Sequence, residues 1–239
     1  MKVYLFFPAY NEEKLIESVI RNAAQVLKDK AYTLVVVNDG SQDRTLEILN
    51  RLDLALTIVS HPQNRGLGRA LLTGIETILP LAKDDDIIVT TESDGAQRPE
   101  KLLELIQAVE KGADLAVATP LHADGFKGVP AYRRFLSRGA NVIYSTLFPI
   151  PGLNNYTNLS RAMRGSLLKK AYEKYGPTLI QSPGFEGVPE LVLKLRHFNP
   201  KIAEVPTVID TSKNDRKSSM NVLKTIVNSL KLCVNNMGK

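Results

Sequence analysis

Two carboxylates stand one residue apart in the segment that follows an apolar run. The run at 86–91 is typical of a buried strand, and Glu92 and Asp94 come directly after it. Hard divalent cations such as Mg²⁺ and Mn²⁺ prefer carboxylate oxygens and keep positions open for phosphate oxygens. The spacing therefore predicts metal-assisted chemistry on a phosphate at the end of this strand. The alternative is a solvated acidic turn, because pairs of acids at this spacing also occur by chance.

Polar segments follow two further predicted strands, which are the apolar runs 3–7 and 33–37. Stretches with the apolar spacing of helices lie between the strands, and such alternation predicts βαβ units in a mostly parallel sheet. In sheets of this kind the ligand site lies beyond the carboxyl ends of the strands. The segments 8–12, 38–41 and 92–95 are therefore expected to meet at one site.

Three residues are predicted to start helices at this edge of the sheet. Asn11 has the side chain of an N-cap, and Glu12 and Glu13 favour the first helical turn after it. Ser41 is the corresponding cap of the next helix, and Pro99 opens a third. All three helix starts are expected beside the polar segments.

The second half of the chain is less regular. A short strand is predicted at 114–118, a polar loop at 122–129 is expected to be a mobile part of the site, and 132–148 is helical and basic. A last helix begins near Met220. Its apolar stripe is interpreted as packing on the core, with a lipid surface as the alternative, and consists of Leu223, Ile226, Val227, Leu230 and Val234.

Composition limits the class of protein. With 239 residues, of which 44% are hydrophobic, the chain can bury one good core, and its net charge of +6 favours an anionic partner such as a nucleic acid, a phosphorylated substrate or an acidic membrane surface. The single cysteine, Cys233, excludes an internal disulfide and fits a reducing compartment, while three scattered histidines offer no zinc-type spacing. No apolar run reaches the roughly 18 residues of a spanning helix, so the chain is expected to be soluble or peripheral.

Four motifs in this order carry a resemblance to a known family: FPAYNEE, VVVNDGSQDRT, NRGLGRALLTGI and TESDGAQRPE. The chain resembles the inverting family-two glycosyltransferases, and most closely their dolichol-phosphate mannosyltransferase-like branch. The resemblance extends over nearly the whole chain. It implies an α/β fold of the GT-A type, with a Rossmann-like, mostly parallel central sheet flanked by helices and a smaller acceptor-side region.

The chain is accordingly predicted to form one GT-A domain over residues 1–239. Its nucleotide-sugar-binding half is expected at 1–119, its acceptor half at 120–219 and a C-terminal amphipathic helix at 220–239.

The resemblance also implies a set of donor-binding residues. A divalent ion, Mg²⁺ or Mn²⁺, would be held by Asp94 and Glu92, with Gln97 as a further oxygen ligand because Ala96 stands where the family frequently has Gln. The family more often has Asp at the position of Glu92. The residues expected to bind the nucleotide sugar are Pro8, Tyr10, Glu12, Asp39, Glu92, Ser93, Asp94 and Arg216.

The acceptor side is similar to the branch that transfers sugars to a lipid phosphate. Arginines suit such a phosphate because the guanidinium group binds it bidentately and stays charged. The residues expected at the acceptor phosphate are Arg133, Arg134, Ser137, Arg138 and Arg161, and the catalytic set is Asp94, Arg134 and Ser137. Asn155 replaces an acid of the family pattern, and Pro120 stands where relatives carry an arginine. A phosphate acceptor is already anionic and needs no strong base, and no His–carboxylate pair stands out in the chain.

The resulting prediction is an inverting glycosyltransferase at the cytoplasmic face of a membrane. It would move mannose or glucose from a GDP- or UDP-hexose donor to a polyprenyl or dolichyl phosphate, in peripheral contact with the membrane and without a nucleic acid partner. One alternative keeps the donor chemistry but uses a sugar hydroxyl as acceptor, which requires a carboxylate base such as Asp124 or Glu190. A nucleotidyltransferase is less favoured, because its glycine-rich loop is expected where Pro8 stands. Gly66 and Gly68 do not follow the first strand, as a dinucleotide-binding motif would require.

Overall fold

The computed structural model describes residues 1–120, 125–212 and 222–237, with the side chains of 222–224 left aside. The strands are β1 (Val3–Ala9), β2 (Tyr32–Asn38), β3 (Leu56–Ser60), β4 (Ile87–Thr90), β5 (Leu115–Thr119), β6 (Phe126–Lys127), β7 (Arg161–Arg164), β8 (Ile202–Pro206) and β9 (Ile209–Asp210). The helices are α1 (Ile16–Val26), α2 (Thr45–Arg51), α3 (Leu67–Ile78), α4 (Glu100–Glu110), α5 (Ala131–Leu147), α6 (Gly165–Tyr175), α7 (Gly187–Leu195) and α8 (Val222–Asn236). Short 3₁₀ turns follow α6 and α7.

Within the described residues, seven strands form the central sheet in the order β3-β2-β1-β4-β7-β5-β8. Strand β7 runs antiparallel to β4 and β5, and the other neighbours pair in parallel. Strands β6 and β9 form a separate two-stranded parallel sheet. The predicted α/β fold with a mostly parallel central sheet is confirmed, and strands from both halves of the chain contribute to one sheet.

Helices cover both faces of this sheet because its strands are apolar on both sides. Along β1, Tyr4 and Phe6 belong to the core on one face, whereas Val3, Leu5 and Phe7 belong to the core on the other. The first core includes apolar residues of α3, α6 and α7, and the second includes those of α1 and α4. Such two-sided burial explains why the strands read as continuous apolar runs.

Two of the three helices begin three or four residues later than predicted. Helix α1 begins at Ile16 rather than after Asn11, which has a left-handed φ of 54°. Helix α2 begins at Thr45 rather than after Ser41. In both cases a turn separates the strand from the helix. Asn11 and Ser41 do not cap the helices, because their side chains accept amides of the neighbouring loop. Helix α4 does begin after Pro99, as predicted.

The C-terminal helix also differs from its prediction. Helix α8 packs on the protein through Leu232 and Cys233, which are buried. Of the stripe expected to pack on the core, Ile226, Val227, Leu230 and Val234 are exposed, and the side chain of Leu223 lies outside the described residues. No helix in the described ranges is long and apolar enough to cross a membrane.

Candidate active site

The carboxyl ends of β1, β2 and β4 meet through direct hydrogen bonds. The amide of Asp39 donates to the carbonyl of Ala9 over 2.8 Å, which joins the end of β2 to the end of β1. The hydroxyl of Ser93 donates to the carbonyl of Pro8 over 2.8 Å, which joins the segment after β4 to β1. The three segments therefore form one continuous edge, as the strand order predicts.

The first loop is held against the second by side chains of both. The amide of Asn11 donates to the Ser41 hydroxyl over 2.9 Å, and the Asn11 side-chain oxygen accepts the amide of Gln42 over 2.7 Å. The amide of Glu12 donates to the Thr45 hydroxyl over 2.7 Å. Tyr10 lies half-buried at this junction. The loop after β1, which carries the predicted nucleotide-binding residues, is thus held by the segment that follows β2.

The carboxylate of Asp39 is buried and engaged on both oxygens. One oxygen accepts the amide of Arg65 over 2.9 Å and lies 2.6 Å from Nδ1 of His61. The other accepts the amide of Gly66 over 2.8 Å. Asp39 therefore fixes the loop after β3, and contact with a base or ribose would be additional to this role.

His61 is a site residue that the sequence did not reveal. It is buried, with Nδ1 against Asp39 and Nε2 3.0 Å from the hydroxyl of Thr73 on α3. The expectation that the chain has no His–carboxylate pair is therefore wrong. A signal was present, since His61 directly follows β3 and so stands at the same carboxyl edge as Asp39.

Replacing His61 by phenylalanine is expected to lower thermal stability and to weaken nucleotide binding. The ring is retained, but Asp39 and Thr73 lose a buried partner, which costs about 1–3 kcal/mol and lowers Tm by roughly 5 °C in a chain of this size. Calorimetric unfolding and nucleotide titration measure the two effects. His197→Phe is the matched control, because that exposed ring bonds only to Tyr175 in the contacts the structure gives. A Tm equal to that of the wild type would contradict the role of His61.

The glycines of the NRGLG segment allow close backbone packing. A Cβ at Gly66, where φ is 92°, would lie 2.3 Å from the carbonyl oxygen of Pro183, and a Cβ at Gly68 would lie 1.9 Å from that of Ser182. The amide of Gly68 donates to the carbonyl of Pro183 over 2.8 Å. These glycines therefore join the loop after β3 to the segment before α7, which accounts for them without a dinucleotide.

Glu92 and Asp94 line a single cavity of about 300 Å³ beyond the end of β4. An oxygen of Glu92 accepts a hydrogen bond from the hydroxyl of Ser160, and an oxygen of Asp94 accepts the amide of Ala96 over 3.0 Å. Burial raises the pKa of Glu92, and the negative charge of Asp94 raises it further, whereas the Ser160 hydroxyl opposes the shift. A cation bound between the two carboxylates would relieve this repulsion.

The donor set fits a divalent ion that is completed by its substrate. In the described parts of the chain, no group of three or more His, Cys, Asp or Glu residues could hold a metal by itself. Mg²⁺ is commonly bound by one or two carboxylates together with substrate phosphates and water. Glu92 and Asp94 provide such a pair of carboxylates at the place where parallel sheets bind ligands.

Gln97 lies beside this carboxylate pair and is held by a partner from the second half of the chain. Its amide nitrogen donates to the hydroxyl of Thr207 over 2.8 Å, and its oxygen accepts the same hydroxyl over 3.2 Å. Because both polar atoms are engaged and buried, Gln97 connects the loop after β4 to the segment after β8. Gln97 also lines the cavity of Glu92 and Asp94, so its role as a metal ligand stays a prediction beside this structural one.

Arg161 lies inside the protein instead of at an acceptor phosphate. The residue is 1% exposed, and its guanidinium group donates to the carbonyls of Val188, Tyr156 and Asn158. Burial lowers the pKa of Arg161 to about 9, and the nearby charge of Glu92 opposes this shift. The acceptor-phosphate prediction for Arg161 is corrected, because the buried guanidinium group joins the segment before β7 to α7.

Glu190, the alternative base, is also part of the scaffold. Its buried carboxylate accepts the amides of Gln181 and Ser182 at 3.0 and 2.7 Å and pairs with Lys194 at 2.7 Å. These contacts fix the segment before α7. The other alternative base, Asp124, and the predicted diphosphate ligand Arg216 lie outside the described residues.

Helix α5 carries the remaining predicted acceptor residues, and Ser137 is the one that contacts the segment leading to the β4 edge. The hydroxyl of Ser137 lies 3.3 Å from that of Thr157, and the segment after Thr157 provides the Ser160 hydroxyl that bonds to Glu92. Arg133 and Arg134 are partly exposed one turn earlier on α5, and Arg138 is exposed. The structure thus connects Ser137 to the carboxylate cavity through one short segment, and does not draw Arg161 to the same surface.

Comparison with known proteins agrees with this architecture. The family model described as Glycosyl transferase family 2 matches residues 4–172. Because this match extends over more than half of the chain, the chain belongs to glycosyl transferase family 2 and is a glycosyltransferase. The predicted family is therefore confirmed.

Relatives named as lipid-phosphate glycosyltransferases are among the similar sequences. The UDP-N-acetylglucosamine–dolichyl-phosphate N-acetylglucosaminyltransferase of Methanococcus voltae is 27% identical, over 85% of this chain and 84% of the relative. The dolichol-phosphate mannosyltransferase of Pyrococcus furiosus is 26% identical, over 86% of this chain and 56% of the relative.

A solved structure supports the fold. The glucosyl-3-phosphoglycerate synthase of Mycobacterium tuberculosis, in complex with Mn²⁺, UDP and glucosyl-3-phosphoglycerate, superposes with a TM-score of 0.70 at 21% identity, over 99% of this chain and 80% of that chain. At this identity the likeness concerns the fold, which is the predicted GT-A type.

Proposed function

We propose that this glycosyltransferase moves a hexose from a GDP- or UDP-hexose to a polyprenyl phosphate, in peripheral contact with the cytoplasmic face of a membrane. The observation that carries the proposal is the link between the two sides of the site. Glu92 bonds to Ser160, and the chain leading to Ser160 contacts Ser137 of α5 through Thr157. Carboxylates suited to the cation of a donor diphosphate are therefore connected, through residues 157–160, to a helix that carries three arginines.

On the donor side, Asp94 and Glu92 would hold Mg²⁺ or Mn²⁺, and Asp39 with the loop that it fixes would bind the nucleoside. When bound, a divalent ion supplies the positive charge that stabilises the leaving diphosphate. Pro8, Tyr10 and Glu12 would line the nucleotide pocket on the β1 side. Ser93 would act indirectly, because its hydroxyl already holds the carbonyl of Pro8.

On the acceptor side, Arg133, Arg134, Ser137 and Arg138 would bind the lipid phosphate. A phosphate oxygen attacks the anomeric carbon on the face opposite to the nucleotide. The new bond joins that oxygen to the carbon, and the nucleoside diphosphate leaves with the electron pair of the broken bond. Because the acceptor is an anion, no base has to remove a proton, and the full engagement of Glu190 by Gln181, Ser182 and Lys194 is consistent with this.

The named relatives support this class of substrates and differ in detail. Two of them are named for dolichyl or dolichol phosphate acceptors, one with an N-acetylglucosamine donor and one with mannose. The structural neighbour was solved with UDP and a phosphoglycerate product. All three names join a sugar to a lipid phosphate or a phosphorylated acid, so an anionic acceptor is the shared element that we carry to this chain.

Product analysis by mass spectrometry tests the proposal. The purified chain is incubated with Mn²⁺ or Mg²⁺ and GDP-mannose, UDP-glucose or UDP-N-acetylglucosamine, and with a short polyprenyl phosphate in detergent, 3-phosphoglycerate or an oligosaccharide. The expected product is the hexosyl polyprenyl phosphate from one of the hexose donors. Transfer to the oligosaccharide alone or to 3-phosphoglycerate alone would contradict the proposed acceptor.

Replacing Arg134 by glutamine is expected to raise the KM for the polyprenyl phosphate by roughly tenfold to a hundredfold, as expected for the loss of a charge-assisted bond of about 1.5–3 kcal/mol. The KM for the nucleotide sugar should stay unchanged, because the donor residues lie on other elements. Steady-state kinetics with each substrate varied in turn measures the two constants. Arg51→Gln removes the same charge from the exposed end of α2 and is the control. An equal rise in both KM values would indicate a general structural defect instead.

A further inference from the structure

The exposed apolar side chains of this protein are concentrated on two neighbouring helices. Of the thirteen large hydrophobic residues that are exposed in the described ranges, nine lie on α5 and α8. They are Tyr132, Phe135, Val142, Ile143 and Leu147 on α5, and Ile226, Val227, Leu230 and Val234 on α8. Scattered single exposed hydrophobics are ordinary on soluble proteins, whereas a concentration of this kind marks an interaction surface.

Each helix carries these residues as a stripe at helical spacing. On α5, Phe135 is 75% exposed and Val142, two turns later on the same side, is 64% exposed. On α8, Leu230 is 51% and Val234 66% exposed. The opposite side of each helix packs inward, since Tyr144 of α5 is buried beside Cys233 and Ser229 of α8. We call the nine exposed residues together the α5–α8 face.

The charges of the two helices favour an anionic partner. Within their ranges, α5 contains three arginines and α8 two lysines, and neither contains an aspartate or a glutamate. Helices with an apolar stripe, basic residues and no acids bind in the plane of a membrane interface, where anionic lipids attract the cations. A second copy of the chain is a poorer partner, because a symmetric contact would bring these cations against their own equivalents.

We infer that the α5–α8 face docks on the surface of an anionic lipid bilayer. The inference rests on the proposed function, in which Arg133, Arg134 and Ser137 bind the acceptor phosphate. These residues alternate with Tyr132 and Phe135 on the same helix. Docking through this face would bring the arginines to the depth of lipid phosphates. The acceptor would then be presented to the site without leaving the membrane.

Vesicle sedimentation of the full chain tests the inference. The vesicles are made of phosphatidylcholine alone or of phosphatidylcholine mixed with phosphatidylglycerol. The α5 variant is Phe135→Gln with Val142→Gln, the α8 variant is Val227→Gln with Leu230→Gln, and the control is Leu81→Gln, which changes a residue that is 57% exposed after α3. All five positions are exposed, so the variants are expected to fold.

The wild type and the control should sediment with the mixed vesicles and far less with phosphatidylcholine alone. Each helix variant should bind the mixed vesicles at least about tenfold more weakly than the wild type, since large apolar side chains supply much of the free energy of binding to a bilayer. Wild type that stays in solution, or helix variants that sediment like the wild type, would overturn the inference. So would a wild-type dimer that the variants dissociate and that does not bind vesicles.

Transfer to a short polyprenyl phosphate in detergent separates this inference from the proposed function. Detergent delivers the acceptor without a bilayer, so both helix variants should retain wild-type transfer in that assay. Sedimentation without any detergent transfer by the wild type would remove the proposed function and leave the docking surface. Sugar transfer in detergent by a wild type that does not sediment with vesicles would support the proposed function and remove the docking surface.

Discussion

The Asp94→Ala variant is expected to lose metal-dependent nucleotide binding and to transfer sugar roughly a hundredfold to a thousandfold more slowly, the usual effect of losing one stabilising contact to a developing negative charge. The remaining carboxylate, Glu92, is held by the Ser160 hydroxyl, and burial raises its pKa. Glu92 alone is therefore a weak site for a divalent ion.

Calorimetric titration of GDP and UDP with and without Mn²⁺ measures this loss. Asp94→Asn separates charge from loop structure, because the amide oxygen can still accept the amide of Ala96. Asp84→Ala removes an exposed carboxylate that pairs with Lys169 on the surface and is the control. If Asp94→Ala binds a nucleotide with the metal dependence of the wild type, the carboxylate pair is not the metal site.

The Arg161→Met variant is expected to be less stable than the wild type by roughly 3–5 kcal/mol, the cost of breaking a buried charge arrangement. In a chain of this size that corresponds to a fall in Tm of about 10 °C. The reason is that three backbone carbonyls lose their donor and the carboxylate of Glu92 loses a compensating charge. Thermal unfolding followed by circular dichroism gives the shift.

The same variant distinguishes the two roles considered for Arg161. A structural arginine changes Tm, whereas an arginine on the acceptor phosphate changes the KM for the acceptor at an unchanged Tm. Arg138→Met is the matched control, because Arg138 is exposed on α5 and its loss should leave Tm within about 1 °C, the usual scale for surface changes. An unchanged Tm with a raised acceptor KM would restore the role that the sequence suggested.

Local sequence patterns were sufficient for the donor half of the fold. The continuous apolar runs of β1, β2 and β4 identify buried strands, and the helical spacing between them identifies the crossovers. Parallel strands bring their carboxyl ends to one edge, so the meeting of Asp39 with the segments of Pro8 and Ser93 follows from strand direction alone. The family motifs lie on these same segments, which is why the fold and the family were both predicted correctly.

The same local patterns were insufficient where a side chain could bond to more than one partner. Asn11 and Ser41 have the chemistry of helix caps, but their hydrogen bonds run between the two loops. Gln97 has an oxygen suited to a cation, and only the structure shows that this oxygen also accepts the hydroxyl of Thr207, 110 residues away in the chain. Residue type reports what a group is able to bond, and the partner is decided by what folding brings near it.

What the sequence by itself determined about this protein is therefore its α/β class, its family and the carboxylate pair at the end of β4. These features depend on periodicity and on residues close together in the chain. Only the tertiary structure decided that Arg161 is internal, that His61 joins Asp39 and that the apolar stripes of α5 and α8 face outward. The physical reason is that each of these depends on which distant segment occupies the adjacent space, and a burial pattern is ambiguous until that neighbour is known.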